Sequence, residues 1–71
     1  MSIAELKAGE WAKVLAIEGG YGLRQKLLLR GIFEGSLVRV ISNRGPITIE
    51  IDRNIVSLGR GMARRIRVRR I

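Results

Sequence analysis

The stretch from Gly19 to Gly35, GGYGLRQKLLLRGIFEG, sets a short helical pattern between glycines inside a chain that otherwise reads as strands. Gly19, Gly20 and Gly22 open backbone conformations closed to other residues, and Gly31 stands where a helix begun near Leu23 ends in a left-handed cap. Gly35 marks a turn before the next strand. From Leu23 to Arg30 the helix is only about two turns long at 3.6 residues per turn. Leu23 and Leu27 share one face by their i, i+4 spacing, and Leu28 is expected to join that buried stripe. Arg24, Gln25 and Lys26 point elsewhere, and Leu29 does not fit the same side.

Around this insertion the pattern is β. Ser2 and Glu5 have the spacing of a capping box, predicting a helical turn over Ile3 to Leu6 that Ala8 and Gly9 end. Glu10 to Glu18 is an apolar-rich strand whose core residues are Ala12, Val14 and Ile17; their uneven spacing predicts a bulge, with Trp11 at a rim. Leu37 to Ile41 puts Val38 and Val40 on one face, and Ser42 to Gly45 forms a polar loop before Pro46. Ile47, Ile49 and Ile51 alternate with Thr48 and Glu50 as a half-buried strand. Asp52, Arg53 and Asn54 make a hairpin turn into Ile55 to Leu58. Gly59 and Gly61 punctuate a corner, with one helical turn through Met62 to Arg65. In RRIRVRRI, Ile66 and Val68 face one way and Arg65, Arg67 and Arg69 the other. Five short strands with a helix inserted after the first predict a mainly β chain, a small closed or nearly closed barrel forming a single domain over residues 1–71.

Composition narrows the chemistry. A 71-residue chain buries only roughly 60% of its unfolded surface, which leaves little room for a deep cleft. Fourteen Lys and Arg against six Asp and Glu give a net charge of +8 and point to an acidic partner. With no cysteine and no histidine there are no disulfides or thiolate metal sites, and the commonest metal ligand and general base are missing. The six carboxylates are scattered, so no metal site, no cofactor and no catalytic residues are predicted. MSIAELKAGEW lacks the basic front and apolar middle of a signal peptide, and no run approaches the roughly 20 apolar residues a membrane span requires. A cytoplasmic location is therefore expected.

The order of residues also carries a family resemblance. Gly22, Leu23, Arg24, Leu27, Gly31, Ile32 and Gly35, then Val38 and Val40, resemble the FeoA family. The match continues through Gly45, Pro46, Ile49, Ile55, Leu58, Ala63, Ile66 and Val68. It departs at Phe33 and Glu34, where the family often has a small polar residue and proline, and at Asp52 to Asn54, where a glycine-containing turn is common. The resemblance implies an SH3-like β-barrel with a helical insertion. It also implies a non-enzymatic accessory of ferrous iron uptake, working with the membrane transporter FeoB, whose cytosolic part binds GTP. A similar domain ends some iron-dependent repressors, but the DNA-binding helices that precede it there are not in this sequence.

Tyr21, Arg24, Lys26, Leu29 and Arg30 are the candidate partner-binding residues, Leu29 being an apolar side chain framed by cations. A plainer role for the helix is to plug one end of the barrel with its charges solvated. Its glycine-rich start suits a phosphate on free backbone amides, but no G-x-x-x-x-G-K-[ST] sequence accompanies it. The terminal arginines suit a solvated edge strand, an acidic face of the transporter or anionic lipid, or nucleic-acid phosphates. The main alternative function is accordingly a basic barrel that binds RNA through phosphates. Trp11, Tyr21 and Phe33 are the only aromatics and are not interleaved on one strand as single-strand binders use them. The sequence leaves homo-oligomerisation open.

Overall fold

A computed structural model describes residues 1–71. After a single 3-10 turn at Ile3–Glu5, the chain runs β1 (Trp11–Ile17), α1 (Tyr21–Leu29), β2 (Leu37–Asn43), β3 (Ile47–Ile51), β4 (Asn54–Leu58), α2 (Arg60–Ala63) and β5 (Ile66–Arg70). The strands form one antiparallel sheet in the order β4-β3-β2-β1-β5, an SH3-like arrangement with α1 inserted after the first strand.

Strand alternation dictates which side chains meet in the core. Ile47, Ile49 and Ile51 of β3, Val38 and Val40 of β2, and Ile66 and Val68 of β5 all point inward. In β1 the pairing with β5 slips between Val14 and Ala16, so Leu15 and Ala16 both face out and Ile17 returns to the core. The core comprises 16 buried apolar residues, among them Ile3 and Leu6 from the N-terminal turn and Leu27 from α1. Burying one Ile or Leu contributes about 1.5–3 kcal/mol before the opposing loss of chain entropy.

The two outermost strands of the sheet differ. Beside β5, Ser2 bridges to Arg67, and the Val68 N–H donates to the Met1 carbonyl at 2.9 Å. The N-terminus thus covers part of that edge, while Arg67, Arg69 and Arg70 remain exposed. The outer edge of β4 has no covering strand. It follows a two-residue turn in which Asp52 (φ 49°) and Arg53 (φ 69°) are both left-handed, the backbone that matches a tight hairpin to strand twist.

Several boundaries lie away from their expected places. Helix α1 starts at Tyr21, not Leu23, because Gly22 adopts a helical conformation and Gly20 caps the end; of Gly19, Gly20 and Gly22 only Gly19 has positive φ. Leu28 does not join the buried stripe: it is half exposed, since only Leu27 of this short helix reaches fully into the core. Strand β2 runs on to Asn43, whose side-chain amide donates to the Leu6 carbonyl (2.6 Å) and the Ala4 carbonyl (3.2 Å). Helix α2 lies at Arg60–Ala63, two residues before its expected start at Met62.

Candidate docking surface on helix α1 and the β4 edge

Helix α1 is fastened by three side chains. Leu27 is fully buried, Leu23 packs half-buried against the core, and Arg24 reaches back across the chain. The Arg24 guanidinium donates to the Ile17 carbonyl at the end of β1 (2.9 Å) and to the Glu34 carboxylate (2.7 Å). It therefore ties the helix to the loops on either side. Glu34 titrates below the ordinary carboxylate value, chiefly because of the hydrogen bond from Arg24, with a backbone hydrogen bond adding to it. At the helix end, Gly31 takes φ 82°, and the Leu27 carbonyl accepts from the N–H groups of Arg30 (3.0 Å) and Ile32 (2.9 Å), reversing the chain.

The five sequence-predicted partner residues consequently divide. Arg24 is committed to intramolecular contacts. Arg30 lies toward β4, its guanidinium donating to the Ser57 carbonyl at 3.2 Å. Tyr21, Lys26 and Leu29 face solvent. Leu29 is 85% exposed and Tyr21 76%, which rules both out of the core. The Tyr21 hydroxyl accepts a hydrogen bond from the Gln25 side-chain amide, which sets its direction along the helix. Lys26 makes no ion pair.

Sequence reasoning missed the neighbour of this helix face. An open groove separates Leu28, Leu29 and Arg30 from Ile55, Val56 and Ser57 of β4, and Ile55 is 63% exposed within it. No sequence signal marks this groove, because it depends on which strand ends up outermost beside α1. A second groove, on the far side of Arg30, brings Trp11, Phe33 and Leu37 alongside Arg53. Two of the three aromatics thus share a surface that their sequence positions do not announce.

The acidic residues are largely neutralised in place. Glu10 pairs with Arg70 (3.4 Å), Glu18 with Arg67 (3.8 Å), Glu34 with Arg24 (2.7 Å) and Glu50 with Arg39 (2.7 Å). Arg39 also lies 5.7 Å from the centre of the Trp11 ring. Glu5 accepts from the Ser2 N–H at 3.3 Å. Lys13 and Arg69 sit directly across β1 and β5 from each other, two like charges side by side. The uncompensated charge is positive, and no three carboxylates converge in a way that would hold a metal ion.

A model of the FeoA domain matches residues 1–70 of the chain. The chain belongs to the FeoA family. That family is accessory to ferrous iron transport. The protein assigned as Fe(2+) transport protein A in Methanocaldococcus jannaschii is 39% identical over 67 residues, covering 93% of this chain and 82% of the relative. A crystal structure of an iron uptake regulatory protein, FeoA, superposes with TM-score 0.95 at 32% identity, over the whole of this chain and 96% of the other. A manganese-dependent transcriptional repressor contains the same fold, with TM-score 0.93 and 26% identity; 99% of this chain matches 40% of the repressor. No helix of this FeoA chain is long and apolar enough to cross a membrane.

Proposed function

We propose that this FeoA chain is a non-enzymatic, cytoplasmic regulator of ferrous iron uptake that docks on the cytosolic GTP-binding region of a FeoB-type transporter. The observation that carries this reading is the outward face of α1, where Leu29 stands exposed one turn from Lys26, with Tyr21 exposed at the other end of the helix, on a family member accessory to iron transport. An exposed apolar side chain next to unpaired cations suits an acidic protein surface with an apolar centre. Docking acts by population shift: the adaptor binds one conformation of its partner better and so biases the cycle. On this reading iron is the transporter's cargo.

The test is binding of the purified transporter region to the full chain and to variants. Leu29→Ala and Lys26→Glu weaken capture while leaving the melting temperature in place. Arg24 is unsuitable for charge reversal, since its contacts hold α1 to Ile17 and Glu34. Undiminished capture by both variants refutes this docking face. Tight binding of generic RNA at physiological salt, competing with the transporter region, would favour the nucleic-acid alternative.

A further inference from the structure

We propose that the open edge of β4 takes up an extended, acidic and apolar segment of a partner protein as an added strand, and that Arg30 closes this edge when the partner is absent. This deepens the docking proposed above, which it presupposes only for the identity of the partner.

The hairpin register identifies the free backbone groups. Ile51 and Asn54 flank the two-residue turn, and a pair in that position exchanges both its backbone hydrogen bonds. Alternation makes Ile49 with Val56 and Ile47 with Leu58 the next bonded pairs. Ile55 and Ser57 therefore direct their N–H and C=O groups away from β3, into the groove. The hydrogen bond from Arg30 to the Ser57 carbonyl is the mark of this orientation. Across the groove lie Leu28 and Leu29, so alternate side chains of an added strand meet apolar surface while its backbone pairs with Ile55 and Ser57.

Charge selects the occupant. Arg30 stands in the groove and Arg53 lies just beyond it; of the two acidic residues near them, Glu50 is paired with Arg39 and only Asp52 makes no ion pair. A second copy of a chain carrying +8 would set arginine against arginine. An acidic strand has the opposite effect. The bond from Arg30 to Ser57 is exposed and goes to a neutral carbonyl, whereas a carboxylate takes two parallel bonds from a guanidinium and holds it more strongly. An incoming carboxylate thus draws Arg30 off the edge and frees the Ser57 carbonyl to accept from the new strand.

The experiment uses the isotopically labelled full chain with three blocked six-residue peptides, alternating Glu with Val, Ser with Val, or Lys with Val. Backbone amide exchange and chemical shifts at Ile55 and Ser57 are the readout. The Glu-Val peptide is expected to slow exchange of both amides by at least about tenfold at saturation, with Ser-Val weaker and Lys-Val inactive. In Arg30→Ala the neutral peptide gains and the preference for Glu-Val over Ser-Val falls. Absence of protection at saturation, equal response to the Lys-Val peptide, or shifts confined to Tyr21 through Lys26 each overturn the proposal. Protection that grows with protein concentration alone assigns the edge to a second copy and overturns it as well. Capture of the transporter region that survives these failures leaves docking standing and removes strand addition; edge protection by Glu-Val without such capture does the reverse.

Discussion

Replacing Leu27 by Ala tests how α1 is attached. Leu27 is the one side chain of that helix with no exposed surface, so it carries most of the apolar contact between helix and barrel. Leu→Ala removes the equivalent of three methylenes, about 2.4 kcal/mol at about 0.8 kcal/mol each, and the cavity left behind raises the cost toward about 3–5 kcal/mol. A core in a chain this small supplies only about 3–5 kcal/mol in total. The variant should therefore be largely unfolded or melt well over 10 °C lower, taking about 4–8 °C per kcal/mol for a domain of this size. Urea titration followed by circular dichroism, with a thermal melt alongside, measures it. A loss below about 1 kcal/mol would refute the attachment and shift the anchoring to Leu23 and Arg24.

Other perturbations separate surface from structure. Leu29→Ala should change stability by no more than about 0.5 kcal/mol, and a melt that drops like that of Leu27→Ala would place Leu29 in the core after all. Glu34 has a depressed pKa in the folded chain, so its contact with Arg24 stabilises above the ordinary carboxylate pKa and is lost as pH falls through the lowered value. The stability gap between the native chain and Glu34→Gln should close over that acidic window in urea titrations at stepped pH; a gap independent of pH would contradict the assignment. Arg53→Gly relieves a left-handed residue at φ 69° against a smaller unfolded-state entropy cost, so a rise in melting temperature of a few degrees is expected, and a fall would count against strain in the turn.

Patterns confined to neighbouring residues were legible in the sequence. The alternation of Ile47, Ile49 and Ile51 gives β3 directly, and the irregular spacing of Val14 and Ile17 gives the bulge in β1. The FeoA match supplies the SH3-like arrangement those strands take. Contacts between residues distant in the chain were not legible. Arg24 looked like a free surface cation because its acceptors, Ile17 and Glu34, lie seven residues before and ten after it, and only the reversal at Gly31 brings the second within reach. Ile55 looked like an ordinary strand residue because nothing local says that β4 is outermost. Adjacent leucines at helical spacing read as a broad stripe that takes in Leu28, whereas this short helix touches the barrel along a narrow one.

The unequal finish of the sheet's two ends also limits stoichiometry. At one end Met1 and Ser2 occupy part of the β5 edge; at the other, β4 lies open. Filaments built by strand pairing need two available edges per molecule, so that each unit receives one neighbour and offers a place to the next. As long as Met1 and Ser2 hold their places on β5, pairing at β4 ends with the first molecule that arrives. The complex is then one-to-one, and raising the concentration fills it without lengthening it.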